Sequence, residues 1–226
     1  MAGATWALAF LAGCVTSNGP AELLRIANNP PEIDRSTPEK TVQSHWAIRD
    51  WDMAYTTSEA AQFNCDAQQR AFYRNRARAG ADLFGERISR FGFGLGVEDL
   101  CETDRDRPST RQPVLSRDIV AVRMKSDAEA EVETVVKNVT PIPPELKLSA
   151  EETFEREYGR PMKYILKKEP GGWSIDWILY RQAPWVDERD DGTLEISEEY
   201  EFEDVIVVAD EPDTFDFIWV GLEGEY

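Results

Sequence analysis

The hydrophobic periodicity of this 226-residue chain changes near Asp118. Before that point, a stripe of apolar and small residues recurs every three or four positions between about Asp66 and Phe91, which is the spacing of one helix face. After it, apolar residues alternate with glutamates over Glu129–Asn138, the two-residue period of a half-exposed strand. The two periods predict an α+β body in which helices come first and a mostly antiparallel sheet follows.

An earlier helix is predicted from Ser36 onward. Ser36, Pro38 and Glu39 supply an N-cap, an early proline and a first-turn acid. The large side chains of this helix fall on nearly opposite sides, with Val42, Trp46 and Met53 on one side and Ile48, Trp51 and Tyr55 on the other. Such a helix either lies between two packed layers or breaks near Asp50 and Asp52.

Turn and capping residues predict the remaining elements. Ser149 and Glu152 match a capping box for a short helix that Gly159 ends. Pro170, Gly171 and Gly172 separate two strand-like runs and predict a hairpin. The predicted strands cover residues 119–125, 129–138, 162–169, 173–182, 193–202, 205–209 and 215–220.

The N-terminus carries a short apolar run, Ala4–Gly13, directly before Cys14. The run is shorter than the roughly 20 residues of a membrane span and has the length of a signal-peptide core. Its end, Leu11–Cys14 (LAGC), resembles the lipobox of bacterial lipoproteins. The resemblance implies a lipid anchor at Cys14 and, since Val15 is not aspartate, an outer-membrane lipoprotein facing the periplasm or the cell surface. The alternative is a buried N-terminal helix with an incidental cysteine.

These features divide the chain into four parts. Residues 1–13 are a predicted lipoprotein signal peptide, and residues 14–35, with three prolines, are a predicted flexible tether. Residues 36–182 form the α+β domain, and residues 183–226 form an acidic β extension.

Two cysteines remain once Cys14 is assigned to the anchor. Cys65 and Cys101 are an even pair in what would be an oxidising compartment, so they are candidates for a disulfide. Such a bridge would stabilise the fold by about 3–4 kcal/mol in the chain-entropy model. The alternative is two buried thiols that behave as small apolar residues.

Two segments resemble the NTF2-like (SnoaL-like) superfamily. They are the first helix, TPEKTVQSHWAIRDWDMAYTTSEAAQF, and the late hairpin, YILKKEPGGWSIDWI. The resemblance covers residues 36–182 and implies helices packed on a curved sheet as a cone. Superfamily members include isomerases, dehydratases, binding domains and non-catalytic accessory proteins, so the fold alone does not fix the function.

Few side chains suit catalysis. His45 is the only histidine, and its place on the first helix favours packing over a role as a base. In some NTF2-like enzymes an aspartate in the conical pocket is the general base, and Asp50, Asp52 and Asp176 are the nearest candidates by position. The alternation around Asp176 indicates that it faces solvent.

Charge is distributed unevenly along the chain. The net charge of -18 argues against nucleic acid as a partner, because nucleic-acid binding depends on basic residues. Residues 183–226 hold 16 acids and one base, interleaved with aromatic residues. This pattern predicts β structure covering the sheet or, alternatively, a docking surface for a basic protein. The predicted second helix carries most of the arginines in this part of the chain. Its basic face is either solvated or a contact for anionic lipid. The residues are Arg70, Arg74, Arg76, Arg78, Arg87 and Arg90.

One segment partly matches a calcium loop. Asp187, Asp191 and Glu198 occupy EF-hand positions, but Arg189 at the third position opposes a cation. A hairpin turning at Asp191–Gly192 is the favoured interpretation, and no cofactor is expected.

The leading hypothesis is a lipid-anchored, extracytoplasmic accessory protein that binds an envelope protein or a small ligand without catalysis. A pocket enzyme of the isomerase or dehydratase type, using a carboxylate base, is the alternative, and a calcium-dependent module is the third hypothesis.

Overall fold

The computed structural model describes residues 25–56, 67–85, 114–144, 146–181, 184, 186–197 and 201–204. Among these residues, helices α1 (Pro38–Thr56) and α2 (Ala67–Phe84) precede the strands, and helix α3 (Ala150–Tyr158) lies between strands. The α+β class and the order of elements are therefore confirmed. None of the helices in these described parts of the chain is long and apolar enough to cross a membrane.

Four long strands form an antiparallel sheet in chain order: β1 (Leu115–Ser126), β2 (Glu129–Asn138), β3 (Arg160–Glu169) and β4 (Gly172–Tyr180). A two-residue strand, β7 (Glu203–Asp204), pairs with the outer edge of β4. Strands β5 (Val186–Glu188) and β6 (Leu194–Ile196) make a separate hairpin. Both predicted long hairpins are thus confirmed.

Helix α1 is continuous and packs on two sides. It therefore lies between two packed layers and does not break near Asp50 and Asp52. Trp46 and Ile48 belong to the main core between the helices and the sheet. Trp51 and Tyr55 belong to a second cluster around Phe72 of α2, whose ring stacks on Tyr55 at a centroid distance of 3.8 Å. Burial on both sides explains why the apolar residues of α1 show no single stripe.

Residues 25–35 differ from the expected flexible tether. Ala27 is fully buried, and the Trp51 indole Nε1 donates to the carbonyl of Ile26 at 2.7 Å. Asn75 of α2 donates to the carbonyl of Ala27 at 2.8 Å. The packed body therefore begins about ten residues before Ser36, because these backbone carbonyls are partners for side chains of α1 and α2.

Local signals account for α3 and for the β3–β4 turn. The Ser149 hydroxyl accepts from the backbone N–H of Glu152, and the Glu152 carboxylate accepts from the N–H of Ser149, which completes the capping box. Gly159 ends the helix with φ +77°. Gly172 adopts φ +119°, a conformation that L side chains rarely take, at the point where β4 begins.

Candidate functional site

His45 lies in the interior as a packing residue. Its imidazole is fully buried, with ring centroids 5.6 Å from Phe84 and 5.8 Å from Tyr164. The neighbouring Trp46 indole donates to the Tyr164 hydroxyl at 3.0 Å. Burial lowers the pKa of His45 well below its ordinary value of about 6.5, and the positive charge of Arg49 lowers it further. His45 is therefore neutral at pH 7 and fills the space between α1 and the sheet.

Two of the candidate general bases, Asp50 and Asp52, lie on α1 and both pair with arginines. The exposed carboxylate of Asp50 accepts from Arg117 Nη1 at 2.8 and 3.0 Å. The buried carboxylate of Asp52 lies 2.9 Å from Arg76 Nε. Each carboxylate is therefore paired with a guanidinium group.

Asp176 is buried, so the expectation that it faces solvent is wrong. Its carboxylate pairs with Lys167 Nζ at 2.5 Å. The strand register is irregular at this point: Ile165 is opposite Trp177, but the next residue of β3 is opposite Ile175, so Asp176 is the extra residue of a β-bulge. The extra residue shifts the alternation of β4, and simple period-two reasoning fails there.

Several residues of the remaining predicted sites lie outside the described residues. Cys14, Cys65, Cys101 and Glu198 lie outside the described residues, so the anchor, the disulfide and one calcium ligand stay predictions. Of the predicted basic face, Arg70, Arg74 and Arg78 are exposed on α2. Arg87 and Arg90 lie outside the described residues.

Asp187 and Asp191 lie on the β5–β6 hairpin, with strands on both sides of its turn. The Asp191 carboxylate accepts from the Thr193 N–H and hydroxyl, which lowers its pKa, and Arg189 pairs with Glu195 at 2.9 Å. Gly192 takes φ +80° in the turn, as the hairpin interpretation expects. Within the part of the chain that is described, no three His, Cys, Asp or Glu residues are grouped to hold a metal ion.

A cleft of about 660 Å³ opens on the outside of the body, where β2 ends and α3 begins. It was not predicted from the sequence. The lining residues come from the end of β2, the following proline-rich loop and α3: Asn138, Val139, Ile142, Leu146, Lys147, Leu148, Thr153, Arg156 and Glu157.

Thr140 organises the polar end of the cleft through three hydrogen bonds. Its N–H donates to Asn138 Oδ1 at 2.9 Å, and its carbonyl accepts from Arg156 Nη2. Its hydroxyl accepts from the N–H of Val114 at 2.8 Å. Because the Asn138 oxygen faces an N–H donor, the orientation of this amide is fixed and its Nδ2 donor points elsewhere.

Two donors at this end lack acceptors. Asn138 is fully buried, and its Nδ2 has no hydrogen-bond partner. Arg156 Nη1 is likewise buried without an acceptor. An unsatisfied buried donor costs about 1–3 kcal/mol, and because neither nitrogen atom has appreciable accessible surface in the cleft, the two are a cost to stability and not contacts for a ligand.

The other walls of the cleft are apolar. Val139 and Ile142 are 44% and 37% exposed, and Leu146 and Leu148 are half-buried beside them. Val114, whose carbonyl accepts from the Val139 N–H, extends the apolar surface. The only sequence signal for this site is the occurrence of four large apolar residues within a proline-rich loop, where polar residues are usual.

No family model, curated protein or solved structure matches this chain. The accessible surface of the cleft includes its apolar walls and the exposed charged side chains of Lys147 and Glu157.

Proposed function

We propose that this protein is a lipid-anchored, extracytoplasmic accessory protein that binds an envelope protein or a small ligand and has no catalytic role. The anchor is Cys14, and the membrane is the bacterial outer membrane. The support for the anchor is the apolar run Ala4–Gly13 followed by the LAGC motif.

The proposed body is an NTF2-like cone with an acidic β extension. The order of helices and strands, the continuous α1 and the β3–β4 hairpin support the cone. One contact within residues 183–226 supports the extension: the Phe202 ring is 4.3 Å from Lys163 Nζ of β3 and 5.3 Å from the guanidinium carbon of Arg181. Strand β7 follows directly and pairs with the edge of β4, which supports β structure joined to the sheet over the alternative of a docking surface for a basic protein.

One contrast favours binding over catalysis. The space between α1 and the sheet is filled by His45, Trp46 and Tyr164, and the candidate base Asp52 is paired with Arg76. The cleft lies elsewhere, on the outside beside α3. A filled interior and an external cleft are the arrangement of a binding protein, since an NTF2-like enzyme of the proposed alternative class needs a carboxylate base inside an open cone.

The test is the intact mass of the native protein extracted from membranes. We expect a chain that begins at Cys14 and carries added acyl mass. Cys14→Ala should yield an unacylated chain, and Cys65→Ala, the matched control, should keep the acyl mass. A native chain that retains residues 1–13 without added mass would refute the anchor and the envelope location.

A further inference from the structure

We propose that two copies of this chain associate through the outer edge of β1. The edge pairs antiparallel with the same edge of the second copy, about a two-fold axis at Val120 and Ala121, so that one continuous sheet runs through both copies. Self-association goes beyond the proposed accessory function and does not depend on the anchor at Cys14.

Strand β1 is a long edge strand. The order of the main sheet is β1, β2, β3, β4 and β7, and among the described residues only β2 pairs with β1. The strand has 12 residues, where a common length is roughly 5–6. Val120 and Met124 on this strand are 59% and 55% exposed. A long edge with exposed apolar side chains is a template for pairing with another chain.

A β-bulge in β1 changes which residues face the core. Ile119 is opposite the buried Thr134 of β2 and packs against the main core. Val122 is opposite the buried Val132, so it points to the same side of the sheet. Between them, residues 120–121 supply two residues where β2 supplies one. Odd-numbered residues therefore point to the core side before the bulge, and even-numbered residues do so directly after it.

The bulge permits one register of self-pairing. Residues directly opposite each other in an antiparallel pair point to the same side of the sheet. Because the bulge exchanges odd and even positions, the sides match along the whole overlap only when the bulges of the two copies face each other. Ile119 then lies opposite Val122 of the second copy. A shift by two residues in either direction places a core-side residue opposite an outward-pointing one.

The same register is complementary in charge. Asp118 lies opposite Arg123 of the second copy, and the two-fold axis repeats this pair. Both side chains are exposed, and opposite charges across a strand pair are stabilising. Arg123 Nη1 lies 2.6 Å from Glu133 Oε1 of its own chain, so the guanidinium would lie between two acids. Arg117, the other charged residue of the overlap 117–124, lies opposite Met124 of the second copy.

A second copy is the occupant that these observations favour. The match of sides and the match of charges both arise from β1 paired with itself, whereas an unrelated strand would have to supply each of them separately. A closed two-fold pair also uses the edge once in each copy, so association stops at the dimer.

The experiment is sedimentation equilibrium of the full-length chain carrying Cys14→Ala, which removes the acylation site and the need for detergent. We expect a reversible monomer–dimer equilibrium with a Kd in the micromolar range, because two strand edges bury less surface than a standard protein interface. A chain that stays monomeric at millimolar concentration would overturn the proposal.

Two charge variants test the register. Asp118→Arg and Arg123→Asp each place like charges opposite each other at both pairs of the homodimer, so each should weaken dimerisation at least tenfold. An equimolar mixture should form a heterodimer, since opposite charges then meet at both pairs. Glu133 keeps Lys163 at 3.5 Å when Arg123 is replaced, so this variant should fold. A mixture that remains monomeric, or single variants that dimerise as the native chain does, would refute the register.

A lysine substitution tests the edge itself. Val120→Lys adds a charge beside the two-fold axis and should weaken dimerisation at least tenfold. Ile196→Lys is the matched control, because Ile196 is 52% exposed on β6, and Asp190→Arg is the control for the charge variants. Both controls should dimerise as the native chain does, with thermal unfolding confirming that every variant is folded. Equal weakening by Val120→Lys and Ile196→Lys would contradict an interface at β1.

Discussion

Arg35 and Trp173 bond to each other in both directions. The Trp173 N–H donates to the Arg35 carbonyl at 2.9 Å, and Arg35 Nε donates to the Trp173 carbonyl at 2.5 Å. The Arg35 guanidinium also lies 3.6 Å from the carboxylate of Glu169. These contacts join the N-terminal segment to the turn between β3 and β4, so residues far apart in sequence close the body at this point.

Arg35→Ala should destabilise the fold by about 2 kcal/mol, because it removes a charged donor from the Trp173 carbonyl in a partly buried setting. Chemical denaturation measures the loss. Lys40→Ala is the control, since Lys40 forms an exposed ion pair with Asp34, and such pairs contribute little. Similar losses in both variants would contradict the structural role of Arg35.

Gly172→Ala should be more damaging than any other glycine substitution in the β3–β4 turn. Gly172 has φ +119°, and an added Cβ would lie 2.5 Å from the Arg35 carbonyl oxygen. Strain and the forced movement of Arg35 together should cost about 3 kcal/mol, measured by denaturation. Gly192→Ala separates the two effects, because Gly192 has φ +80° but no atom within 4 Å of the new Cβ. Gly192→Ala should lower the free energy of unfolding by about 1 kcal/mol. An equally small loss in Gly172→Ala would show that Arg35 is not tightly packed against Gly172.

Arg76→Met should destabilise the chain by about 2 kcal/mol, since it removes the nearer of two arginines from the buried carboxylate of Asp52 while Arg49 remains 3.8 Å away. The side chains of this pair are only 19% and 10% exposed. Arg189→Met is the matched control, because Arg189 and Glu195 are 59% and 60% exposed and should contribute less than about 1 kcal/mol. Thermal and chemical unfolding of the two variants compare the pairs directly.

His45 should make the fold sensitive to mild acid. In the folded state its pKa lies well below 6.5 because of burial, so the unfolded chain takes up a proton that the folded chain does not. Stability should therefore fall as the pH drops below about 6.5, at a rate approaching about 1.4 kcal/mol per pH unit. The measurement is the unfolding free energy of the native chain and of His45→Phe from pH 7 to pH 5. The difference between them should change with pH, and parallel curves would contradict a neutral buried imidazole.

The elements that were predicted from the sequence depend on local chemistry. The capping box at Ser149 and Glu152 and the glycine end at Gly159 require only neighbouring residues. The same holds for the turn at Pro170–Gly172, where the chain reverses within a few positions. Such features need no knowledge of distant contacts.

The features that were missed depend on contacts between distant segments. Asp176 appears solvent-facing in the alternation, and only the pairing of β4 with β3 reveals the bulge that buries it. The contacts of Ala27 with α2 and of Arg35 with Trp173 likewise join segments that no local pattern connects. The cleft combines a strand end, a loop and a helix, so its lining residues share no sequence motif.

The early start of the packed body limits how far it can move from the bilayer. Arg25, the first residue described, can lie at most about 40 Å from Cys14 even in a fully extended chain. With the proposed anchor, the body samples only a thin layer of solvent beside one membrane. The short reach would therefore limit the encounters of the body to molecules in that layer.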